Sequence, residues 1–229
     1  MNQLTLNGVR STFINGLLIS SLPPISKPLM RTQIDTVDGR DGDIVTNLGY
    51  SAYDKTVEIG LHGQFDIDEV IAYFEGSGKV VFSNEPDKYY NYQIIKQIDY
   101  ERLIRFRKAN VVFHVQPYKY SAVDAPVVEN GDIVYIVNMG NTISKPVITV
   151  HGTGNIVAYF NNNPTLSVNG LDGTITLDTE KMEAYDGNTL KNRLVIGDYD
   201  KAYFMTGENK LSFSGNVTQI EVDKYSRWI

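Results

Sequence analysis

The stretch DIDEVIAYFEGSGKVVF, residues 66–82, contains both kinds of secondary structure expected in the first half of this chain. Four apolar residues recur at the spacing of one helix face, namely Ile67, Val70, Ile71 and Phe74. Asp66 can cap the helix, Glu69 completes an acidic variant of the capping box, and Gly76 stands where the helix should stop. The β-branched run that follows predicts a strand, so we expect a helix that packs against a sheet.

Outside this stretch the sequence has the composition of a β protein. Tyrosine (15) far outnumbers tryptophan (1), and 19 glycines accompany it, a mixture that favours strands joined by tight turns. Asn-Gly or Asp-Gly pairs begin at Asn7, Asn15, Asp38, Asp41, Asn130, Asn169, Asp172 and Asp186. Because such pairs supply the positive φ angles of primed turns, most of them are predicted to close hairpins between strands of about five residues.

The length of 229 residues allows two domains. The best boundary follows the strand-like run 116–120, where the proline-containing stretch 121–130 loses its periodicity. A helix and longer charged strands precede this point, and short strands with frequent turns follow it. The sequence therefore predicts a mainly β protein: an N-terminal α+β domain with one helix, residues 1–124, followed by an all-β sandwich, residues 125–229.

The charge balance argues against a nucleic-acid-binding module. The formal net charge is -6 and the pI about 5.1. Residues 1–124 carry 13 basic and 15 acidic side chains and the remainder 8 and 12, which gives -2 and -4. Both halves repel DNA, so no sequence-specific nucleic-acid binding is expected. No stretch approaches the roughly 20 apolar residues of a membrane helix and the first residues do not resemble a signal peptide, so synthesis in the cytoplasm without membrane binding is expected.

Residues typical of catalysis or metal binding are scarce. The chain has no cysteine, which removes thiol catalysis, thiolate zinc sites and disulfides. His62, His114 and His151 occur singly, without an HxH or HExxH spacing. Neither a GxSxG nucleophile motif nor a phosphate-binding loop is present. We therefore assign no catalytic, cofactor-binding or metal-binding residue and expect a protein that is not an enzyme.

Three carboxylates leave an enzymatic alternative open. A glycosidase needs two acids roughly 5 to 10 Å apart on a rigid scaffold, and Asp178, Glu180 and Glu183 are the candidates. On a strand, Asp178 and Glu180 would share one face. Any solvated strand shows the same pattern, so no catalytic role is assigned to them.

A basic run has two interpretations as well. Arginine and lysine alternate with aromatic residues, as on surfaces that bind single-stranded DNA, at Tyr100, Arg102, Arg105, Phe106, Arg107 and Lys108. From Ile104 onward the apolar and basic residues also alternate as on a half-buried strand. Because the whole chain is acidic, a solvated or subunit-facing strand is favoured.

A series of short motifs resembles the distal tail protein (Dit-like tail component) family of siphophages. In the first half the motifs are Val37–Gly42, Phe74–Gly78, Glu85-Pro86 followed by Tyr89, Glu101-Arg102, Arg105-Phe106 and Gln116–Tyr118. In the second half they are Asn138–Asn141, Ser144–Pro146, Val147–Gly154, Ile175–Thr179, Gly207–Asn209 and Arg227-Trp228. Each motif is weak alone, but their order and spacing cover nearly the whole chain.

The resemblance implies a structural protein of the phage tail tip, or baseplate, and hence a location in the virion. In such a protein the N-terminal domain forms a homohexameric ring at the end of the tail tube, and the C-terminal domain is a galectin-like sandwich that projects outward. The implied partners are other copies of the chain, the tail tube protein, the tail hub or tail-associated lysin, and receptor-binding proteins or their adaptors. Genomic DNA would pass through the lumen of the ring, which an acidic lining would allow without adsorption.

The segment Lys27–Tyr50 is the candidate for contact between subunits. It is polar, with unpaired turns and little periodicity, and we hypothesise that it is an arm that reaches a neighbouring copy. The candidate interface residues are those of its turn-rich centre: Asp38, Gly39, Arg40, Asp41 and Gly42.

The alternative function is a carbohydrate-binding module for host cell-wall glycans, because a galectin-like sandwich would suit it. Sugar sites stack a ring on an exposed aromatic side chain. The only tryptophan, Trp228, stands next to the C-terminal residue, and the remaining candidate platforms are Tyr159, Phe160, Tyr185, Tyr199 and Tyr203. Whether the second domain binds a sugar or a protein stays open at this point.

Overall fold

The computed structural model describes residues 2–229, which divide into two compact units. The first unit ends at Ala122 and also contains Ile229, and the second is Val123–Trp228. Each has its own buried apolar core. The first combines helices with strands and the second is built from strands, so the predicted fold class is confirmed.

The first unit is an antiparallel sheet with two short helices and a separate hairpin. Its elements are β1 (Leu4–Leu6), β2 (Val9–Arg10), a 3-10 turn (Ser11–Phe13), β3 (Leu17–Ser21), β4 (Met30–Thr36), β5 (Asp43–Tyr50), β6 (Tyr53–Leu61), α1 (Ile67–Tyr73), β7 (Ser77–Phe82), β8 (Lys88–Gln93), α2 (Tyr100–Phe106) and β9 (Lys108–Ser121). The main sheet runs in the order β2-β1-β7-β8-β9-β6-β3. Strands β4 and β5 form a two-stranded sheet of their own.

Helix α1 forms where predicted, with its Asp66 cap, but Ile71 of the predicted apolar face is 37% exposed and Glu69 bonds outside the helix instead of completing the capping box. The Asp66 carboxylate accepts hydrogen bonds from the N–H groups of Asp68 and Glu69, at 2.9 and 3.4 Å. The Glu69 carboxylate accepts from Asn15 N at 3.4 Å, a bond to another segment of the unit. Val70 and Phe74 are buried in the core, so the helix packs against the sheet as expected.

Helix α2 corrects the sequence analysis, which favoured a strand from Ile104 through the basic run. The Asp99 carboxylate caps the helix by accepting from Arg102 N at 2.8 Å. Leu103 is fully buried beneath it, and Arg107 ends it with a left-handed φ of 59°. The apparent alternation covers only a few residues, so the cap and one buried leucine are enough to override it. Strand β9 begins directly afterwards.

Phe113 is at the centre of the first core. Its ring lies edge-on to those of Phe74, Phe82 and Tyr92, with centroids 6.4, 5.9 and 5.2 Å apart. Such T-shaped contacts add to the energy of burial. They connect α1 with strands β7, β8 and β9, so the helix and the sheet share one core.

The second unit contains strands and two 3-10 turns. Its elements are β10 (Val127–Asn130), β11 (Ile133–Asn138), β12 (Val147–Phe160), β13 (Asn163–Asp178), β14 (Glu183–Asp186), β15 (Thr189–Leu190), 3-10 turns (Asn192–Leu194 and Tyr199–Lys201), β16 (Val195–Gly197), β17 (Gly207–Asp223) and β18 (Arg227–Trp228). The strand order is β10-β17-β12-β13-β14-β15, with β11 also paired to β17 and β16 to β13. All these pairings are antiparallel.

Three strands of the second unit are much longer than the predicted five residues. Strands β12, β13 and β17 have 14, 16 and 17 residues. The register of β12 shifts near residues 152–157 against both neighbours, so irregularities divide each long strand into separately paired segments. The Asn-Gly and Asp-Gly pairs at Asn169 and Asp172 lie inside β13, which contradicts their predicted role as hairpin turns.

The turns that close the β1–β2 and β12–β13 hairpins have the positive φ angles on which the prediction was based. Asn7 and Gly8, with φ of 49° and 86°, join β1 to β2 as predicted. The hairpin of β12 and β13 is closed by Asn161 and Asn162, with φ of 50° and 68°. Asparagine tolerates the left-handed region without a following glycine, so a search for Asn-Gly pairs misses this turn.

Candidate assembly interface

The hairpin of β4 and β5 is an exposed arm. Ile34 pairs with Val45 and Asp35 with Ile44 in an antiparallel register, and the side chains from Arg31 to Gly49 are all exposed. The expectation of unpaired turns with little periodicity was therefore wrong for most of this segment. We use the term arm for residues 27–50, which contain the paired strands and the connection between them.

All five candidate interface residues lie together at the tip of the arm, the connection 37–42. Arg40 N donates to Val37 O at 3.1 Å and forms a tight turn. Gly39 and Gly42 have φ of 81° and 77°, and a Cβ at either position would meet nothing within 4 Å. Asp38, Arg40 and Asp41 are exposed. The tip is thus shaped by backbone conformation and not by packing; its role as an interface stays a prediction.

The sequence analysis missed the apolar side chains of the arm. Ile34 and Val45 form a cross-strand pair on one face, with 60% and 56% of their surface exposed. Leu48 is 50% exposed. Exposed apolar pairs on a protruding hairpin typify surfaces that bind another protein. The apolar residues stand in the sequence of β4 and β5, but no regular alternation marks them, so the pairing of Ile34 with Val45 is apparent only once the register is known.

A buried polar cluster holds the base of the arm. Lys55, 3% exposed, donates from Nζ to Pro24 O at 3.0 Å. Asn84 Nδ2 donates to Pro23 O at 3.0 Å. Tyr53 OH donates to Ser26 O at 3.4 Å. These bonds fix the carbonyl groups of the segment that leads from β3 into the arm.

Glu85 is the carboxylate of this base cluster, and it accepts hydrogen bonds from two neighbouring side chains. Its Oε2 accepts from Tyr90 OH at 2.8 Å and its Oε1 accepts from Lys119 Nζ at 2.5 Å. Lys55 Nζ lies 4.9 Å from the centre of the Tyr90 ring. Burial lowers the pKa of Lys55, an effect that Glu85 partly offsets. Burial, followed by the hydrogen bond to Glu85, raises the pKa of Tyr90. The cluster therefore places one buried lysine, Lys55, and one part-buried lysine, Lys119, around one carboxylate.

The basic run now lies on α2 and the residues beside it. Residues Arg102, Arg105, Phe106 and Lys108 line a surface cleft of about 550 Å³, together with Asp99 and Glu101. Phe106 is 72% exposed. Arg105 pairs with Glu101 at 2.8 Å and Lys108 with Glu58 at 3.0 Å. An exposed aromatic ring inside a basic rim is a second surface suited to binding.

The candidate carboxylates have structural roles. Asp178 ends β13, and its Oδ1 accepts from Glu180 N and Lys181 N at 3.1 and 2.9 Å. Glu180 lies in the turn that follows and pairs with Arg227 at 3.3 Å. The two acids do not share a strand face as expected, because the strand ends between them. Asp178 and Glu180 are therefore engaged in a turn and in an ion pair.

The histidines are dispersed over both units. His114 Nδ1 bonds with Asp54 at 2.9 Å and His151 Nδ1 with Thr174 at 3.0 Å, while His62 is exposed. Within residues 2–229, no group of three or more His, Cys, Asp or Glu side chains is arranged to hold a metal ion. Over the same residues, no helix has the length and apolar character needed to cross a membrane.

Of the aromatic platforms proposed for sugar binding, Phe160 and Tyr203 line a cleft of about 440 Å³ together with Asn161 and Asn163. Phe160 is only 3% exposed. The Asn161 side chain is already bonded to Asn209 and to Lys210 N, both at 2.9 Å. The cleft thus offers few unbonded polar groups to a sugar, so it does not favour the carbohydrate-binding alternative.

The fold of this chain, an α+β unit with an exposed hairpin followed by a β unit with long interrupted strands, is similar to the folds of two solved phage proteins. The crystal structure of the Dit protein of phage SPP1, described as a paradigm of the hub adsorption apparatus in phages that infect Gram-positive bacteria, matches with a TM-score of 0.67. The match covers 98% of this chain and 99% of that chain at 16% identity. The phage P2 baseplate in its activated conformation with Ca matches with a TM-score of 0.51 at 10% identity, over 97% of both chains.

No protein-family model and no curated protein sequence matches the chain. The similarity is therefore one of fold, and it extends over both units. The resemblance to distal tail proteins inferred from short motifs is confirmed at this level.

Proposed function

We propose that this chain is a structural protein of a phage tail tip that assembles into a homohexameric ring between the tail tube and the tail hub. The single observation that supports this most strongly is the fold shared with SPP1 Dit over 98% of the chain. Residues 1–124 form the ring in this proposal, and residues 125–229 form an outward galectin-like domain. The protein acts in the virion after synthesis in the host cytoplasm, without a catalytic role.

The proposed partners follow from this position. The ring contacts the tail tube protein on one side and the tail hub or tail-associated lysin on the other, and the outward domains carry receptor-binding proteins or their adaptors. DNA passes through the lumen without sequence-specific contacts. The net charge of -6 supports this last point, because an acidic surface repels the phosphate backbone.

The arm supports a ring for a physical reason. A ring requires a heterologous interface, in which one patch of each subunit binds a different patch of the next. A hairpin with exposed Ile34 and Val45 provides a protruding patch that does not resemble the rest of the surface. The base cluster around Lys55 and Glu85 sets the direction in which the arm leaves the sheet.

Electron microscopy and sedimentation of the concentrated full-length protein test the proposal. We expect closed particles with six-fold symmetry. Replacing residues 37–42 by Asn-Gly shortens the tip but keeps the pairing of Thr36 with Asp43, because this dipeptide closes a two-residue hairpin. This variant should be a folded monomer, while the control Asn162→Gly, a turn change in the second unit, should leave the rings unchanged.

Two results would count against separate parts of the proposal, the first against the role of the arm tip and the second against the homohexamer. Intact rings after the tip is shortened would show that the tip makes no essential contact between subunits. Particles with another symmetry, or a protein that stays monomeric at all concentrations, would contradict the homohexamer. In the second case, a glycan array of host-wall polysaccharides would test the carbohydrate-binding alternative.

A further inference from the structure

We propose that the arm of one copy docks on the α2 surface of a second copy of this chain. The α2 surface is the segment 99–108, which includes the cleft lined by Arg102, Arg105 and Phe106. This inference rests on the proposed ring, and it names the surface that receives the arm.

The charges of the two surfaces are complementary. Residues 35–43 contain four carboxylates, Asp35, Asp38, Asp41 and Asp43, and one cation, Arg40, which gives a net charge of -3. Residues 99–108 contain four cations, Arg102, Arg105, Arg107 and Lys108, and two carboxylates, which gives +2. The side chains at the arm tip and those of α2 other than Tyr100 and Leu103 are exposed. Opposite potentials of this kind accelerate association and exclude wrong partners.

The apolar side chains of the two surfaces are complementary as well. Phe106 is 72% exposed and Ile104 43% exposed on the α2 surface. Ile34 and Val45 are 60% and 56% exposed on the arm. Protein interfaces typically bury a few aromatic or aliphatic anchors inside a charged rim. In the proposed contact, Phe106 packs against the Ile34 and Val45 pair and the acidic tip faces the arginines of the α2 surface. Such a contact has apolar anchors inside a charged rim.

The occupant is a second copy because the two surfaces do not satisfy each other within one chain. Over residues 2–229 no ion pair joins 35–43 to 99–108, and Asp38, Asp41 and Asp43 pair with no cation of their own chain. Arg102 makes no ion pair in that part of the chain either. Two different patches on one chain that complement each other produce a head-to-tail contact, which closes into a ring when it is repeated by rotation.

The absence of cysteine from the chain allows a direct test by disulfide cross-linking. Arg40→Cys places a thiol on the tip and Glu101→Cys places one on α2. Both changes remove the minority charge of their surface, so the complementarity is kept. Phe13→Cys, exposed on the 3-10 turn, is the control. Under mild oxidation, Arg40→Cys should cross-link to Glu101→Cys at least about tenfold faster than to Phe13→Cys, because docking raises the effective thiol concentration.

Charge reversal provides an independent test. Asp38→Lys with Asp41→Lys should abolish the rings, and so should Arg102→Glu with Arg105→Glu. All four changes in one chain should restore them, because the complementarity returns with opposite sign. Circular dichroism confirms that each variant is folded.

The outcomes separate this inference from the proposed function. Six-fold rings in the wild type, with no preferential arm to α2 disulfide or no rescue by the fourfold variant, would overturn the docking site and leave the ring proposal standing. A wild type that forms neither rings nor this disulfide would overturn both. Rings together with the disulfide and the rescue would establish the contact.

Discussion

Replacing Glu85 by leucine should destabilise the first unit severely. The carboxylate lies in the base cluster, where the side chains of Glu85 and Lys119 are 9% and 12% exposed. Lys55 is 3% exposed. Leucine fills much of the space but leaves the buried Lys55 and the part-buried Lys119 ammonium groups without a neighbouring carboxylate, and it also removes the acceptor of the Tyr90 hydroxyl hydrogen bond.

The expected loss in the free energy of unfolding is about 3 to 5 kcal/mol, the usual cost of leaving one partner of a buried ion pair uncompensated. A domain of this size has a total of about 5 to 15 kcal/mol, so the variant is expected to be close to unfolding. Adding Lys119→Met and Lys55→Met should recover part of this loss, because no buried charge then remains. The residual cost comes from two groups that lose their hydrogen-bond partners, the Pro24 carbonyl group and the Tyr90 hydroxyl, at about 1 to 3 kcal/mol each.

Urea denaturation followed by far-ultraviolet circular dichroism measures these differences. The control is Glu101→Gln, which removes one partner of an ion pair whose side chains are 69% and 72% exposed; its loss should stay below about 0.5 kcal/mol. A loss below about 1 kcal/mol for Glu85→Leu would refute the reasoning. It would mean that water or backbone movement relieves the two ammonium groups when the carboxylate is removed.

Three further predictions follow from single contacts. Gly140→Ala should reduce the free energy of unfolding of the second unit by about 2 to 3 kcal/mol and so lower its thermal midpoint, since its Cβ would lie 2.1 Å from Arg227 O. Asp66→Ala should cost about 1 kcal/mol in urea denaturation through loss of the α1 cap, while Asp68→Ala, its control, should cost less. The pKa of Tyr90 is raised above the ordinary 10.0, so the stability it contributes is present below pH 10 and is lost as the pH rises further; Tyr90→Phe should flatten this alkaline decline in unfolding midpoint.

The parts of the fold that the sequence predicted well are specified by local interactions. Helix α1 has its cap, its apolar face and its stop signal within eleven residues, 66–76. Likewise Asn7 and Gly8 close a two-residue turn with positive φ angles that their residue types favour, although Asn7 also bonds to Lys79 of the neighbouring strand. Because each of these features is local, neighbouring units or subunits do not change it.

The features that the sequence did not predict depend on distant partners. Helix α2 needs Leu103 to be buried beneath it, and no local pattern shows which leucine the fold buries. The long strands of the second unit continue through Gly170 and Gly173 because β12 pairs on both sides of these residues. In the base cluster, Lys55, Glu85 and Lys119 come from separate strands and loops, so sequence spacing could not reveal them.

The arm gains little stability from contacts within its own chain, which supports the proposal that it binds a second copy. A two-stranded hairpin is only marginally stable in water, because it buries little apolar surface. Within this chain the arm is held mainly at its base, where Ser51 N donates to Leu29 O at 2.9 Å and Arg31 donates to Leu48 O at 3.0 Å. The distal pair Ile34 and Val45 remains exposed.

Ordering the two strands of such an arm costs conformational entropy, and the arm also leaves apolar surface exposed to water. Neither property stabilises a monomer. Burying Ile34 and Val45 against a second copy would convert both into interface energy, since each fully buried aliphatic side chain contributes about 1.5 to 3 kcal/mol. The base cluster would then act before assembly. By fixing the direction of the arm in the free subunit, it would reduce the entropy that the proposed docking must overcome, so the base cluster and the exposed tip would contribute to the same contact.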